Sequence, residues 1–266
     1  MANLRVRPSA PDDGGRIINI TPASAGWRYV GFELRRLSAG QTVRLSFPSR
    51  EACVLVLSGV CDIGVDGEPF KGVGGRSSVF DAAAPGAVYV PAGPAITVTA
   101  TSSAEVAVCT APGSGAGAAR LIAAERMPRE TRGEGTNQRL VCNILPETEP
   151  AESLLIAEVI TPSGHWSSYP PHKHDADTPP LETALEETYY HRLNPPQGFA
   201  FQRVYTDDRG LDETVCVEDG DVVLVPRGYH PVGAPHGYDL YYLNVMAGPK
   251  RTWRFHNDPA HQWMLG

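Results

Sequence analysis

One short scheme occurs twice in this chain and constrains its fold more than any other feature. Pro85-Gly86-Ala87-Val88-Tyr89-Val90-Pro91-Ala92-Gly93 runs glycine, apolar strand, Pro-x-Gly turn, and Gly220-Asp221-Val222-Val223-Leu224-Val225-Pro226-Arg227-Gly228 repeats it. Two copies of one supersecondary unit point to duplicated domains. Around the first copy lie short apolar runs closed by Gly, Pro or Asp, namely Val43–Phe47, Ala52–Leu57, Ala87–Val90, Ile96–Ala100 and Val106–Cys109. Around the second lie Leu154–Ile160, Phe199–Tyr205, Asp221–Val225 and Leu240–Met246. Val43, Leu45 and Phe47 alternate with Arg44 and Ser46, the period of a half-buried strand. With 27 glycines and 24 prolines the chain has turns enough for many short strands. Ala118–Met127 is the one segment that reads as a short helix. The expectation is an all-β protein of two jelly-roll-type β-barrels in tandem, because antiparallel sheets protect their edges by closing or doubling up.

The copies are separated by Pro112–Ala119, rich in Gly, Ala and Ser, and by the polar segment Pro128–Gln138, a composition that marks a linker. This puts a first barrel at residues 1–115 and a second at 116–266. All eight histidines lie at or beyond His165, so the first barrel is expected to be metal-free and to serve packing and oligomer contacts. A formal net charge of −7 opposes a nucleic-acid surface but leaves room for a small anionic substrate gripped by local arginines. No run approaches the roughly 18 apolar residues of a membrane span, and Met1 to Arg16 has no apolar signal core. Cys53, Cys61, Cys109, Cys142 and Cys216 lie far apart, which reads as reduced thiols buried in strands. A soluble, cytoplasmic homo-oligomer follows as the expectation.

Chemistry concentrates in three elements of the second half. In His172-Lys173-His174 side chains two apart on a strand share a face, so both imidazoles would look inward and Lys173 outward. A carboxylate-bearing strand follows, Leu185-Glu186-Glu187-Thr188-Tyr189-Tyr190, and then Pro226-Arg227-Gly228-Tyr229-His230 sets a histidine after a strand-ending turn. An H-x-H pair alone also occurs on ordinary surface strands. Three imidazoles and one carboxylate converging from separate strands suit one divalent ion such as Zn, Mn, Fe or Ni. Four protein ligands leave positions open for a chelating substrate.

These elements resemble the cupin superfamily, whose first motif runs Gly, H-x-H, then Glu, and whose second runs Gly, P-x-G, then His. The resemblance is closer still to the 5-deoxyglucuronate isomerases of inositol catabolism, with kinship to the uronate isomerases of pectin breakdown. It rests on Pro170-Pro171-His172-Lys173-His174-Asp175, the Leu185–Tyr190 strand, Gly198–Thr206 and Tyr241–Gly248, with Ser78–Asp81 and Val88–Pro91 in the first half. The implied fold is a bicupin, and the implied ligands are His172, His174, Glu187 and His230. Two departures stand out. A polar loop, Asp175 to Thr183, is inserted between His174 and the carboxylate, which leaves Glu186 a rival to Glu187 although the Glu-x-Tyr context favours the latter. The second motif is also one residue short, with only Tyr229 between Gly228 and His230.

The resemblance implies an aldose–ketose isomerase converting 5-deoxy-D-glucuronate to 5-dehydro-2-deoxy-D-gluconate in myo-inositol degradation. A metal chelated by the C1 and C2 oxygens would ease loss of the C2 proton by stabilising an enediolate. Glu187 and Tyr205 are candidates for the proton shuttle, and a hydride shift stays open. Arg203 is a candidate clamp for the substrate carboxylate, with a rim ion pair as its alternative, and Tyr189 and Tyr205 are candidate donors to sugar hydroxyls. His191, His236, His256 and His261 are assigned to the surface or to supporting positions. Two other classes fit the same ligand set: a metal-dependent dioxygenase, which would consume O₂, and a non-catalytic sugar-acid-binding barrel.

Overall fold

Strands make up nearly half of residues 3–265, the part of the chain that the computed structural model describes, and helices very little. They fall into two compact units. The first takes Pro8–Pro128 and Ile144–Leu154. Its six-stranded sheet runs Arg120–Ile122, Gly86–Val90, Arg50–Ser58, Ala104–Pro112, Gly31–Leu37, Arg16–Ile20. A four-stranded sheet runs Thr42–Ser46, Ala95–Ala100, Val60–Val65, Glu68–Gly74. Alternation decides which side chains enter the core. Val43 and Leu45 are buried while Thr42, Arg44 and Ser46 face water, and they join Val54, Val88, Val106, Ile63 and Val98 in one apolar cluster. This two-sheet packing is the all-β arrangement that the period-two pattern predicts.

Within this unit Glu51 echoes a ligand position, but its surroundings are structural. Its fully buried carboxylate accepts from the backbone N–H groups of Glu152, Ser153 and Leu154 at 2.8, 2.6 and 2.6 Å, and from the Tyr89 hydroxyl at 2.6 Å. That set of donors ties Ile144–Leu154 into the unit. Glu51→Ala would strand three backbone donors, so it is expected to cost about 3–5 kcal/mol and lower the melting temperature of this unit by about 10 °C. Calorimetric melts check this, and an unchanged transition would show that water replaces the carboxylate at no cost.

The second unit contains the N-terminal stretch up to Arg7, Arg129–Asn143 and the chain from Leu155 onward. Its seven-stranded sheet runs Arg5–Val6, Val222–Val225, Glu186–Asn194, Asp239–Ala247, Leu155–Thr161, Arg139–Leu145, Arg129–Arg132. A four-stranded sheet runs Trp166–Ser167, Val232–Gly233, Phe199–Tyr205, Asp212–Glu218, and His172–Lys173 pairs with His256–Asn257. Val141, Tyr189, Val223 and Tyr242 of the large sheet share a core with Ala200, Val204 and Val217 of the smaller one.

The division therefore differs from a single cut between residues 115 and 116. Arg5 and Val6 extend the large sheet of the second unit by pairing with Val223 and Val222, and Arg5 ion-pairs with Asp221 and Glu218. Residues beyond 115 stay with the first unit, because Arg120–Ile122 pairs with Tyr89, Val88 and Ala87. The helix expected over Ala118–Met127 is replaced by that strand and a 3-10 turn, Ala124–Arg126. Both Pro-x-Gly turns end in a glycine with positive φ, 111° at Gly93 and 91° at Gly228, a conformation that disfavours any side chain. Among the described residues no helix is long and apolar enough to cross a membrane.

Candidate metal centre

Strand phase places the carboxylate. On Glu186–Asn194, Glu187, Tyr189 and His191 share the buried inner face, and Glu186 alternates away from it. Glu187 is thus the carboxylate that meets the histidines, its Oε2 lying 3.0 Å from His174 Nε2 and 3.2 Å from His230 Nε2. Its Oε1 accepts a 2.6 Å hydrogen bond from Asn244 Nδ2, on the neighbouring strand opposite Tyr189. Asn244 Oδ1 in turn accepts from the Ala157 N–H at 3.2 Å, so the amide is held in one orientation.

Each histidine is fixed by its own local structure. His230 follows the Gly228 turn, where a Cβ would collide with the Tyr205 carbonyl oxygen. Tyr229 and Tyr205 exchange backbone hydrogen bonds of 2.8 and 2.9 Å, which locks the approach of His230. Its Nδ1 sits 2.8 Å from the Gly228 carbonyl oxygen, and that of His174 sits 3.1 Å from the Leu185 carbonyl oxygen. His172 is held on the edge pair His172–Lys173 with His256–Asn257, and its ring packs 4.7 Å from Phe255. The inserted loop is not loose either: Glu182 accepts from the N–H groups of Asp175 and Ala176 at 2.6 and 3.0 Å. Lys173 points away from the imidazoles, ion-pairing with Asp175 and Asp207.

The donor atoms of His172, His174 and His230 all lie within 4.8 Å of one another. With Nδ1–H of His174 and His230 given to carbonyl oxygens, each Nε2 keeps its lone pair for the centre. His230 Nε2 is buried and makes no hydrogen bond, although Glu187 Oε2 is near. A buried nitrogen without a partner, beside two more imidazoles and an anionic oxygen, is the donor chemistry that fits a divalent ion. Burial works to raise the Glu187 carboxyl, but His174 and His230 hold it well below the usual carboxylate range. Burial opposes charge on His174, and Glu187 nevertheless raises it. His172 is pushed well down, by burial first and then by His230 and His174.

The remaining expected residues divide. Tyr189 lies beside the imidazoles: its ring meets the His230 ring edge-on at 5.7 Å, and its hydroxyl lies 3.0 Å from Ser168 Oγ. Burial lifts that phenol well above its ordinary range, so it stays protonated. Tyr205 and Arg203 do not reach the centre. On Phe199–Tyr205 the inward residues are Ala200, Gln202 and Val204, whereas Arg203 lies on the outer face in a bidentate pair with Asp212 at 2.8 and 2.8 Å. Tyr205 is on that same phase, its hydroxyl given to Asp258 at 2.8 Å and its ring stacked by Arg203 and Arg209. His191 is no surface residue, being fully buried against Tyr189 with Nε2 3.0 Å from Gln202 Oε1. Asn244 went unmarked in the sequence, although a lone polar residue at an inward position of Asp239–Ala247 is a readable signal.

Comparison with known proteins agrees with this architecture. The KduI/IolB family model matches residues 4–264. The 5-deoxy-glucuronate isomerase of Geobacillus kaustophilus is 54% identical over 265 residues, spanning 100% of this chain and 96% of that protein. Its Bacillus subtilis counterpart is 49% identical over 269 residues, spanning 100% and 99%. Among solved structures, an IolB-like protein from Salmonella typhimurium superposes with a TM-score of 0.97 at 48% identity, each chain covered in full. Bacillus subtilis oxalate decarboxylase superposes at 0.65 with 13% identity over 97% of this chain and 80% of that one, a likeness of fold alone. The fold is a bicupin.

Proposed function

This chain belongs to the KduI/IolB family, and we propose that its isomerase chemistry takes place where His172, His174, Glu187 and His230 converge. Relatives spanning the full chain at about half identity are 5-deoxy-glucuronate isomerases, and so is this protein. The observation that carries the site is the shared oxygen, Glu187 Oε2, 3.0 and 3.2 Å from two imidazole nitrogens whose opposite sides are anchored to backbone. These four residues would hold one divalent ion, of the class Zn, Mn, Fe or Ni, in the second unit. Bound there, it supplies Lewis acidity toward adjacent oxygens of the sugar acid.

The chain's own groups would handle the protons. Glu187, oriented by the Asn244 hydrogen bond to its Oε1, would serve both as a ligand and as the group that takes the proton from C2 and returns it to C1. In balance, the C2 hydrogen moves to C1 and the O2 hydroxyl proton is made up at O1, so the aldehyde becomes an alcohol and C2 the ketone. Tyr189, protonated and next to Ser168, would donate to the oxygen that gains charge. A small sugar acid is the partner in this reading. A cytoplasmic homo-oligomer is part of the same reading, and the five cysteines, held as thiols, favour a reducing compartment. With oxygen excluded, purified protein should still convert 5-deoxy-glucuronate to the ketose, one product per substrate. A requirement for O₂, or binding without conversion, would overturn the reading.

A further inference from the structure

Arg139 opens the strand Arg139–Leu145, directly after the segment Pro128–Gln138 whose composition reads as linker. It shares its strand phase with Val141, which is buried in the core cluster of Tyr189 and Tyr242, while Leu140 between them is half exposed at 50%. The half-buried Arg139 side chain is therefore directed to the barrel face. Its one hydrogen bond is local, from Nη1 to the Asn137 carbonyl oxygen at 3.0 Å. The adjoining turn is pinned by His165 Nδ1, 2.8 Å from the Gln138 carbonyl oxygen. Directly across the strand pair, Arg132 is engaged by Glu130 at 2.5 Å. Among the described residues Arg139 has no carboxylate within 4.0 Å.

A guanidinium that faces a barrel interior without an anion carries unused donors in a planar fork. Its charge is felt by groups of the site. Burial pulls Arg139 below its ordinary range, and the phenols of Tyr242 and Tyr189 counter that. Its charge also adds to the depression of His172, behind burial and the neighbouring imidazoles. We propose that Arg139 binds the carboxylate of the substrate and so selects a sugar acid over a neutral sugar, the role that the outward-facing Arg203 cannot take. This rests on the isomerase reading of the His172–Glu187 centre.

The test compares 5-deoxy-glucuronate with 5-deoxy-glucose, in which a primary alcohol replaces the carboxylate. In Arg139→Gln the KM for the acid should rise about 100-fold with a smaller change in kcat, since the lost pair serves binding. The inhibition constant of 5-deoxy-glucose should stay within about 2-fold of wild type, and metal content and melting temperature should not move. Arg139→Lys keeps the charge without the fork and should lose about 10-fold, which preserves the test if Arg139→Gln folds poorly. Added guanidinium should restore part of the lost affinity in Arg139→Ala. Equal losses for acid and neutral sugar, or an unchanged KM for the acid, would overturn the proposal and leave the isomerase reading intact. Wild-type protein inert on 5-deoxy-glucuronate would remove the isomerase reading, and this inference with it.

Discussion

Replacing His230 with alanine is expected to lower kcat/KM on 5-deoxy-glucuronate by at least about 1000-fold and to take bound divalent metal from about one ion per chain to nearly none. The size follows from position. His230 is fully buried, its Nε2 has no other partner, and it stands 4.8 and 4.9 Å, ring to ring, from His172 and His174. Alanine removes one vertex of the cluster and leaves its carbonyl anchor unpaired. The fold should survive, because the backbone exchange between Tyr229 and Tyr205 does not involve the imidazole. Elemental analysis, circular dichroism and steady-state kinetics on one preparation read all three effects. Full metal occupancy in the variant would remove His230 from the ligand set.

Glu187→Gln is the second large effect, an expected fall in kcat of about 100- to 10,000-fold, the range for loss of a positioned proton-transfer group. The change is nearly isosteric but removes the charge that both His174 and His230 face. Asn244 Nδ2 can still donate to an amide oxygen, so the variant is expected to fold. Wild-type turnover in D₂O should leave deuterium at C1 of the ketose, because a proton held on Glu187 can exchange with solvent. Residual product from the glutamine variant should carry less. A variant with wild-type kcat would leave Glu187 with no part in the reaction and make Glu186 the carboxylate to replace.

The strands were readable in the sequence because they follow local rules. Val43–Phe47 and Phe199–Tyr205 show their period directly, and the two Pro-x-Gly turns mark equivalent strand ends. His172, His174 and His230 stand close together in the structure, at positions that a two-residue repeat and a glycine turn mark in the sequence. Arg203 and Tyr205 misled for a physical reason. On their strand the larger aromatic residues, Phe199 and Phe201, lie outside, and the inner face carries the small Ala200 and the polar Gln202 that meets His191. Hydrophobic bulk therefore points to the wrong face. Arg5–Val6 was invisible as part of the second sheet because its partners, Val223 and Val222, lie far away in sequence and leave no local trace, whereas Arg129–Arg132 pairs with the nearby Arg139–Cys142 and was hidden by its polar composition. Arg139 was hidden by the same composition that makes its neighbourhood read as linker.

This chain is a 5-deoxy-glucuronate isomerase, and in the proposed reading its reaction depends on one divalent metal held by His172, His174, Glu187 and His230. The most direct measurement strips the metal with a chelator, restores it in steps under anaerobic conditions, and follows ketose formation against bound metal. The account predicts that activity vanishes with the ion, returns in proportion to occupancy, and saturates at about one ion per chain. Full activity in protein freed of divalent metal would contradict it.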